Sequence, residues 1–235
     1  MARRTRQMAR AGKAPRSTMV EPPSPAGTGA GEHPAHERLG NPEHLEEYLR
    51  KLDDHARAAW QKPDEVLRAL EIRPEAVIGE IGAGTGYFTL RLAPMATHVF
   101  ASDADPRLLE VLRDRIATAG VRNVTPVLGL ADDPFLPSAR CDLILSVNAY
   151  HHFPEAPSNL RRVRRALRPD GRIAVVDFHE KLERARLLRD TEAAGLCVAV
   201  EHGFLPQQHF VIFHGSPGND CFQAGERSSR GHVTS

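Results

Sequence analysis

The sequence predicts a doubly wound α/β fold, a mostly parallel sheet flanked by helices and closed by an antiparallel hairpin. Three observations predict it. Short apolar runs of strand length alternate along the chain with segments whose apolar residues recur at helical spacing. The first of these runs, Val77–Ile81, passes into glycines at alternate positions, Gly82, Gly84 and Gly86, as a strand turning sharply into a helix would. The last two runs, 196–200 and 210–213, are separated only by residues 201–209. That is too short for a parallel crossover, so they pair antiparallel.

Along the chain, 42–57 and 63–70 read as helices. In the second, Val66, Leu67 and Leu70 form an apolar face behind Pro63 at the helix start. The first strand is 76–81 and a helix follows over 87–93. The second strand is 98–102. Helix 105–119 then sets Leu108, Leu109, Leu112 and Ile116 on one face, with Gly120 as its stop. A third strand covers 124–128. The fourth, 141–147, is nearly all apolar, as a central parallel strand must be. A helix over 158–167 ends at Arg168-Pro169-Asp170-Gly171, the fifth strand is 172–178, and a helix over 180–194 leads to the hairpin.

The glycine turn carries the most chemistry. Glycine lets the backbone turn sharply and lets a ligand lie directly against it. Dinucleotide folds use G-x-G-x-x-G, with a pyrophosphate at the helix N-terminus. Here the third glycine comes one residue earlier and Glu80 precedes the turn. A carboxylate there repels a pyrophosphate and suits a cationic or amino-bearing ligand. Asp103 ends the second strand, seventeen residues after Gly86. A carboxylate at a strand's carboxyl end can accept hydrogen bonds from ribose hydroxyls. Asp105, just before Pro106, fits a helix N-cap.

Glu80-Ile81-Gly82-Ala83-Gly84-Thr85-Gly86 resembles the first motif of the class I S-adenosylmethionine-dependent methyltransferases, an acidic residue followed by G-x-G-x-G. The resemblance runs from about Trp60 to Phe213, and five βα units with a terminal hairpin match that family's Rossmann-like, seven-stranded sheet. It implies S-adenosylmethionine as cofactor, with Glu80, Gly82, Gly84 and Gly86 at its methionine end. By the same resemblance Asp103 holds the ribose and Asp132 the adenine, with Asp133 as the neighbouring alternative. Asn148, at the end of the fourth strand, stands where donor meets acceptor and is placed with the cofactor-binding residues.

Asn148 lacks the proline pair found in nitrogen-directed relatives, whereas His151-His152 resembles the small-molecule branch. A histidine titrates near neutrality, so His151 or His152 is the catalytic candidate, taking a proton from a hydroxyl or an acidic carbon. The alternative is that either ring only packs against the cofactor or caps the next helix. No metal is expected, because no carboxylate or cysteine sits at ligand spacing near the pair. Asp177 is expected to support the sheet end or substrate pocket, and Trp60 to be core or lid. Between Asp177 and the hairpin a single charged helix stands where small-molecule relatives often have a longer insertion.

The chain has 235 residues, 41% hydrophobic and 26% charged, with net charge +1. That suffices for one α/β domain and gives no global field toward nucleic acid or membrane. Residues 1–40 are basic at the start and then rich in Gly and Pro, and read as a disordered tail. Residues 41–214 read as the methyltransferase domain, and 215–235 as a second tail. Arg3-Arg4 resembles a twin-arginine signal, but no hydrophobic region follows. The three cysteines lack C-x-x-C spacing, so neither a disulfide framework nor a zinc site is expected, and the reading is cytoplasmic. The expected partner is a small-molecule methyl acceptor, with no membrane. Two alternatives stand beside it: a chain that binds the cofactor without turnover, and an NAD-dependent oxidoreductase, which would share Asp103 but not the glycine spacing.

Overall fold

The computed structural model describes residues 44–215, so the expected tail 1–40 lies outside the described residues, as does the expected tail 215–235 except for Gly215, which ends the last strand. Seven strands form one sheet in the order β3-β2-β1-β4-β5-β7-β6. They are β1 (Val77–Ile81), β2 (His98–Asp103), β3 (Val124–Leu128), β4 (Cys141–Val147), β5 (Leu167–Phe178), β6 (Leu196–His202) and β7 (Gln208–Gly215). β1 pairs parallel with both β2 and β4, and β4 with β5. β7 runs antiparallel to both β5 and β6, so the expected hairpin forms and its second strand inserts beside β5.

Successive residues of the central strands face opposite sides of the sheet, and both sides are buried. Ile144, Ile173, Val175, Val211 and Phe213 pack on one side against α6 (Ala156–Ala166) and α7 (Arg184–Ala193). Leu143, Leu145, Ala174, Val176, Phe210 and Ile212 pack on the other, against α3 (Pro63–Ala69) and Leu92 of the short α4 (Thr89–Leu92). α5 (Pro106–Thr118) closes over Ala101 through Leu109 and Leu112. Burial of each such Leu or Ile contributes about 1.5–3 kcal/mol.

Three elements differ from the sequence reading. The helix expected over 42–57 is broken into α1 (Leu45–Leu52) and α2 (Arg57–Gln61). Asp54 competes for the backbone there, its side chain accepting from the Ala56 N–H at 2.8 Å. β5 begins at Leu167 rather than 172, because Leu167 already pairs with Cys141 across a register shift. The helix after the glycine turn is reduced to α4 and a 3-10 turn, Ala93–Met95, holding Pro94. Cys141 is a buried free thiol, as its place at the start of the apolar β4 suggests. Among the described residues no helix is long and apolar enough to cross a membrane.

The chain leaves β1 toward β2 on one side and returns from β3 to β4 on the other. The crevice at the carboxyl ends of β1 and β4 is therefore the sheet's topological switch point, where such folds bind ligands.

Candidate functional site

A cavity of about 400 Å³ occupies that crevice. Its floor is the turn between β1 and α4. Gly82 has φ +75 there, and a Cβ on it would overlap the Cβ of Ala149, so this position accepts only glycine without displacement. Gly84, at φ +56, donates its N–H to Asp103 Oδ2 at 2.7 Å, which fastens the turn to the end of β2. The N–H groups of Gly82 and Ala83 both donate to the Ser102 carbonyl, and Gly86 donates to the Ala83 carbonyl at 3.0 Å.

Glu80 lies at the bottom, 3% exposed, and accepts from the Thr89 hydroxyl at 2.6 Å. Burial pushes its carboxyl up to about 8; the Thr89 bond and the Arg57 charge pull the other way, while Asp103 adds to the rise. Asp103 is likewise raised by burial, against the N–H groups of Asp105 and Gly84 that favour its charged form. Each of its oxygens accepts one of those N–H bonds, which leaves lone pairs for further donors. Asp105 caps α5 as expected, accepting from the Arg107 N–H at 2.9 Å.

Arg57, which the sequence reading missed, enters the same cavity from α2. Its guanidinium lies 4.3 Å from the Tyr87 ring centroid, with Arg91 at 4.1 Å from that ring. It also donates to the Leu52 carbonyl and the Gln61 side chain. Burial lowers its pKa, and it remains a cation. Nothing in a single sequence links Arg57 to Glu80, because only the packing of α2 over the turn brings them together. Thr85 Oγ1 and the Tyr87 hydroxyl, both on residues lining the cavity, are buried without a partner.

Asp132 does not line the cavity. Its half-exposed carboxylate pairs with Arg162 at 3.2 Å, and the wall beyond Asp103 is made by Leu130, Ala131 and Pro134. Asp133 is turned inward on its own loop, accepting from the Phe135 N–H.

The opposite end of the cavity is built by the segments after β4 and β5. Asn148 adopts φ +54, and its side-chain Oδ1 accepts from Gln208 Nε2 of β7 at 2.6 Å. Asp177, fully buried, accepts from His151 twice, from the backbone N–H at 2.9 Å and from Nδ1 at 2.7 Å, and from the Phe178 N–H at 2.8 Å. A carboxylate can only accept, so Nδ1 carries the hydrogen, and in the neutral ring Nε2 is the nitrogen with the lone pair. That Nε2 is buried and unpartnered, in a ring that lines the cavity.

His152 stacks on His151 with centroids 4.0 Å apart, and burial pushes its pKa down to about 4, so it is neutral. The sequence left the two histidines equivalent; their surroundings separate them. His179 does not join the pair and stacks instead on His209. No metal-binding group of His, Cys, Asp and Glu exists among the described residues. Trp60 is neither core nor free, but lines the cavity and meets Phe178 at 5.4 Å.

The arrangement fits S-adenosylmethionine. A carboxyl that ionises as an ammonium arrives and a guanidinium beside it match an amino acid's two charged groups, a strand-end carboxylate suits a ribose, and an apolar wall suits a base. The unpartnered hydroxyls of Thr85 and Tyr87 lie at the charged end.

Comparison with known proteins agrees. Residues 78–171 match the family described as a methyltransferase domain. The uncharacterized methyltransferase YcgJ of Bacillus subtilis is 32% identical over 114 residues, 48% of this chain and 45% of that protein. The uncharacterized methyltransferase Rv3342 of Mycobacterium tuberculosis is 35% identical over 111 residues, 47% of this chain and 43% of that one. The chain thus spans less than half the length of these curated relatives. A SAM-dependent methyltransferase from Aquifex aeolicus superposes with TM-score 0.67 at 20% identity, over 71% of this chain and 96% of that one. The solved YcgJ protein gives TM-score 0.59 at 18% identity, over 67% and 99%. At such identities these two structures establish the fold alone.

Proposed function

We propose that this chain, which carries an S-adenosylmethionine-dependent methyltransferase domain of the class I fold, moves a methyl group to a hydroxyl of a small-molecule acceptor. The observation that carries the reading is the His151–Asp177 pair facing the same cavity as the glycine turn.

Glu80 and Arg57 would hold the amino and carboxylate groups of the donor, the Gly82–Gly86 backbone its chain, and Asp103 its ribose. Its base would lie against Leu130, Ala131 and Pro134. When bound, it supplies an electrophilic methyl on a sulfonium, whose bond electrons stay with sulfur. Asp177 fixes the His151 ring and its tautomer, and Nε2 takes the acceptor's hydroxyl proton as the oxygen becomes the nucleophile. His152, neutral, holds the other face of that ring. Trp60 and Phe178 exclude water from that end of the cavity, and alignment supplies much of the rate. A general base of this kind contributes roughly 10²- to 10⁴-fold.

The test is incubation of the purified protein with methyl-labelled S-adenosylmethionine and the small-molecule fraction of a cell extract. A labelled O-methyl product is expected, lost in Asp103→Ala. Calorimetric binding of S-adenosylmethionine with no labelled product would establish a binding chain without turnover. Label on nitrogen or carbon would overturn the hydroxyl reading.

A further inference from the structure

The cavity's acidic side chains, Glu80 and Asp103, stand at the ends of β1 and β2, and of its cations Arg57 lies beside Glu80 while Lys51 pairs with Glu47. Among the residues lining the cavity beyond β4 and β5 there is no carboxylate; Asp177 stands behind His151, closed by three N–H groups. The formal cation there is Lys181, whose Nζ sits 5.5 Å from the centroid of the Phe178 ring and has no carboxylate partner among the described residues. Around it the walls are aromatic: Trp60, Phe153 and Phe178, with the imidazoles of His151 and His152. The Trp60 and Phe178 rings lie against each other, tilted by 36° with centroids 5.4 Å apart, so they form an aromatic wall with no slot between them.

The base sets a further limit. A phenolic hydroxyl gives up its proton to an imidazole far more readily than an alkanol does, because the phenolate is the weaker base. We propose that the acceptor is a hydroxyaryl carboxylate, its ring against the Trp60 and Phe178 wall, its carboxylate at Lys181 and its hydroxyl toward His151. This rests on the methyl-transfer reading above.

Trp60 is the chain's single tryptophan, so its emission reports this end of the cavity alone. The experiment first measures binding of S-adenosylhomocysteine to the full chain by calorimetry. Absence of binding would overturn the donor site itself and, with it, the methyl-transfer reading. With that ligand saturating, 2-, 3- and 4-hydroxybenzoate and the matching hydroxybenzamides are titrated against Trp60 fluorescence. At least one hydroxybenzoate is expected to quench with a dissociation constant about 5- to 10-fold below that of its amide. Lys181→Ala should abolish that preference and Lys181→Arg should keep it, while S-adenosylhomocysteine binding stays unchanged in both. Equal binding of acid and amide, retained preference in Lys181→Ala, or no quenching by any isomer would overturn the acceptor class and leave the donor site standing.

Discussion

Asp177 holds His151 at two points, the backbone N–H at 2.9 Å and ring Nδ1 at 2.7 Å. The histidine's place and its tautomer are therefore set by one buried carboxylate at the end of a different strand. Asp177→Asn can keep the shape while offering a donor where only an acceptor serves. Methyl transfer should fall by about 100-fold, with S-adenosylmethionine affinity preserved. His151→Ala should fall as far, and the double variant no further. Single-turnover kinetics and calorimetry separate the two quantities.

Glu80 makes the free protein's stability fall with pH. Its folded pKa, about 8, lies above the ordinary 4.5, so its contribution is complete below 4.5 and is lost as pH rises toward about 8. Glu80→Gln should flatten that slope and stabilise the free protein at pH 8 by on the order of a few kcal/mol relative to the parent. Denaturant unfolding at pH 5 and pH 8 measures it. Binding an ammonium beside Glu80 should also release a proton below pH 8, visible as a buffer-dependent calorimetric enthalpy.

Gly82→Ala should destabilise the fold by about 2–4 kcal/mol, since the new Cβ meets Ala149 in a backbone region at φ +75. Ala149→Gly in the same chain should recover the steric part and leave the backbone part. Urea unfolding of the two single variants and the double variant resolves the split.

Arg57→Ala should weaken S-adenosylmethionine binding about tenfold by removing a charge-assisted contact. It should also shift the Glu80 titration upward, because the Arg57 charge holds that carboxyl down. Arg57→Lys should recover only part of the affinity, since an ammonium lacks the planar stack on Tyr87. Calorimetry across pH reads both effects.

What the sequence made legible was local. The strands, the glycine turn, the Asp105 cap and the antiparallel hairpin follow from spacing, and Asp103 sits at the strand end where its position put it. Long-range geometry was not legible. Asp132 and Asp133 differ by one position, and the loop after β3 turns both away from the cavity, Asp132 to Arg162 and Asp133 onto the Phe135 N–H. His151 and His152 are chemically identical until Asp177 and desolvation separate them. Arg57 and Gln208 carry no motif, because their partners come from elements distant in the chain.

The insertion of β7 between β5 and β6 has a consequence for synthesis. The glycine turn and Asp103 are joined by neighbouring strands and can assemble as soon as β1 and β2 have left the ribosome. The Asn148 side-chain oxygen waits for Gln208, sixty residues later, and β5 keeps an unpaired edge until the same strand arrives. A nascent chain stalled before β7 would therefore hold a formed donor wall beside an unfinished acceptor wall and an exposed, aggregation-prone strand.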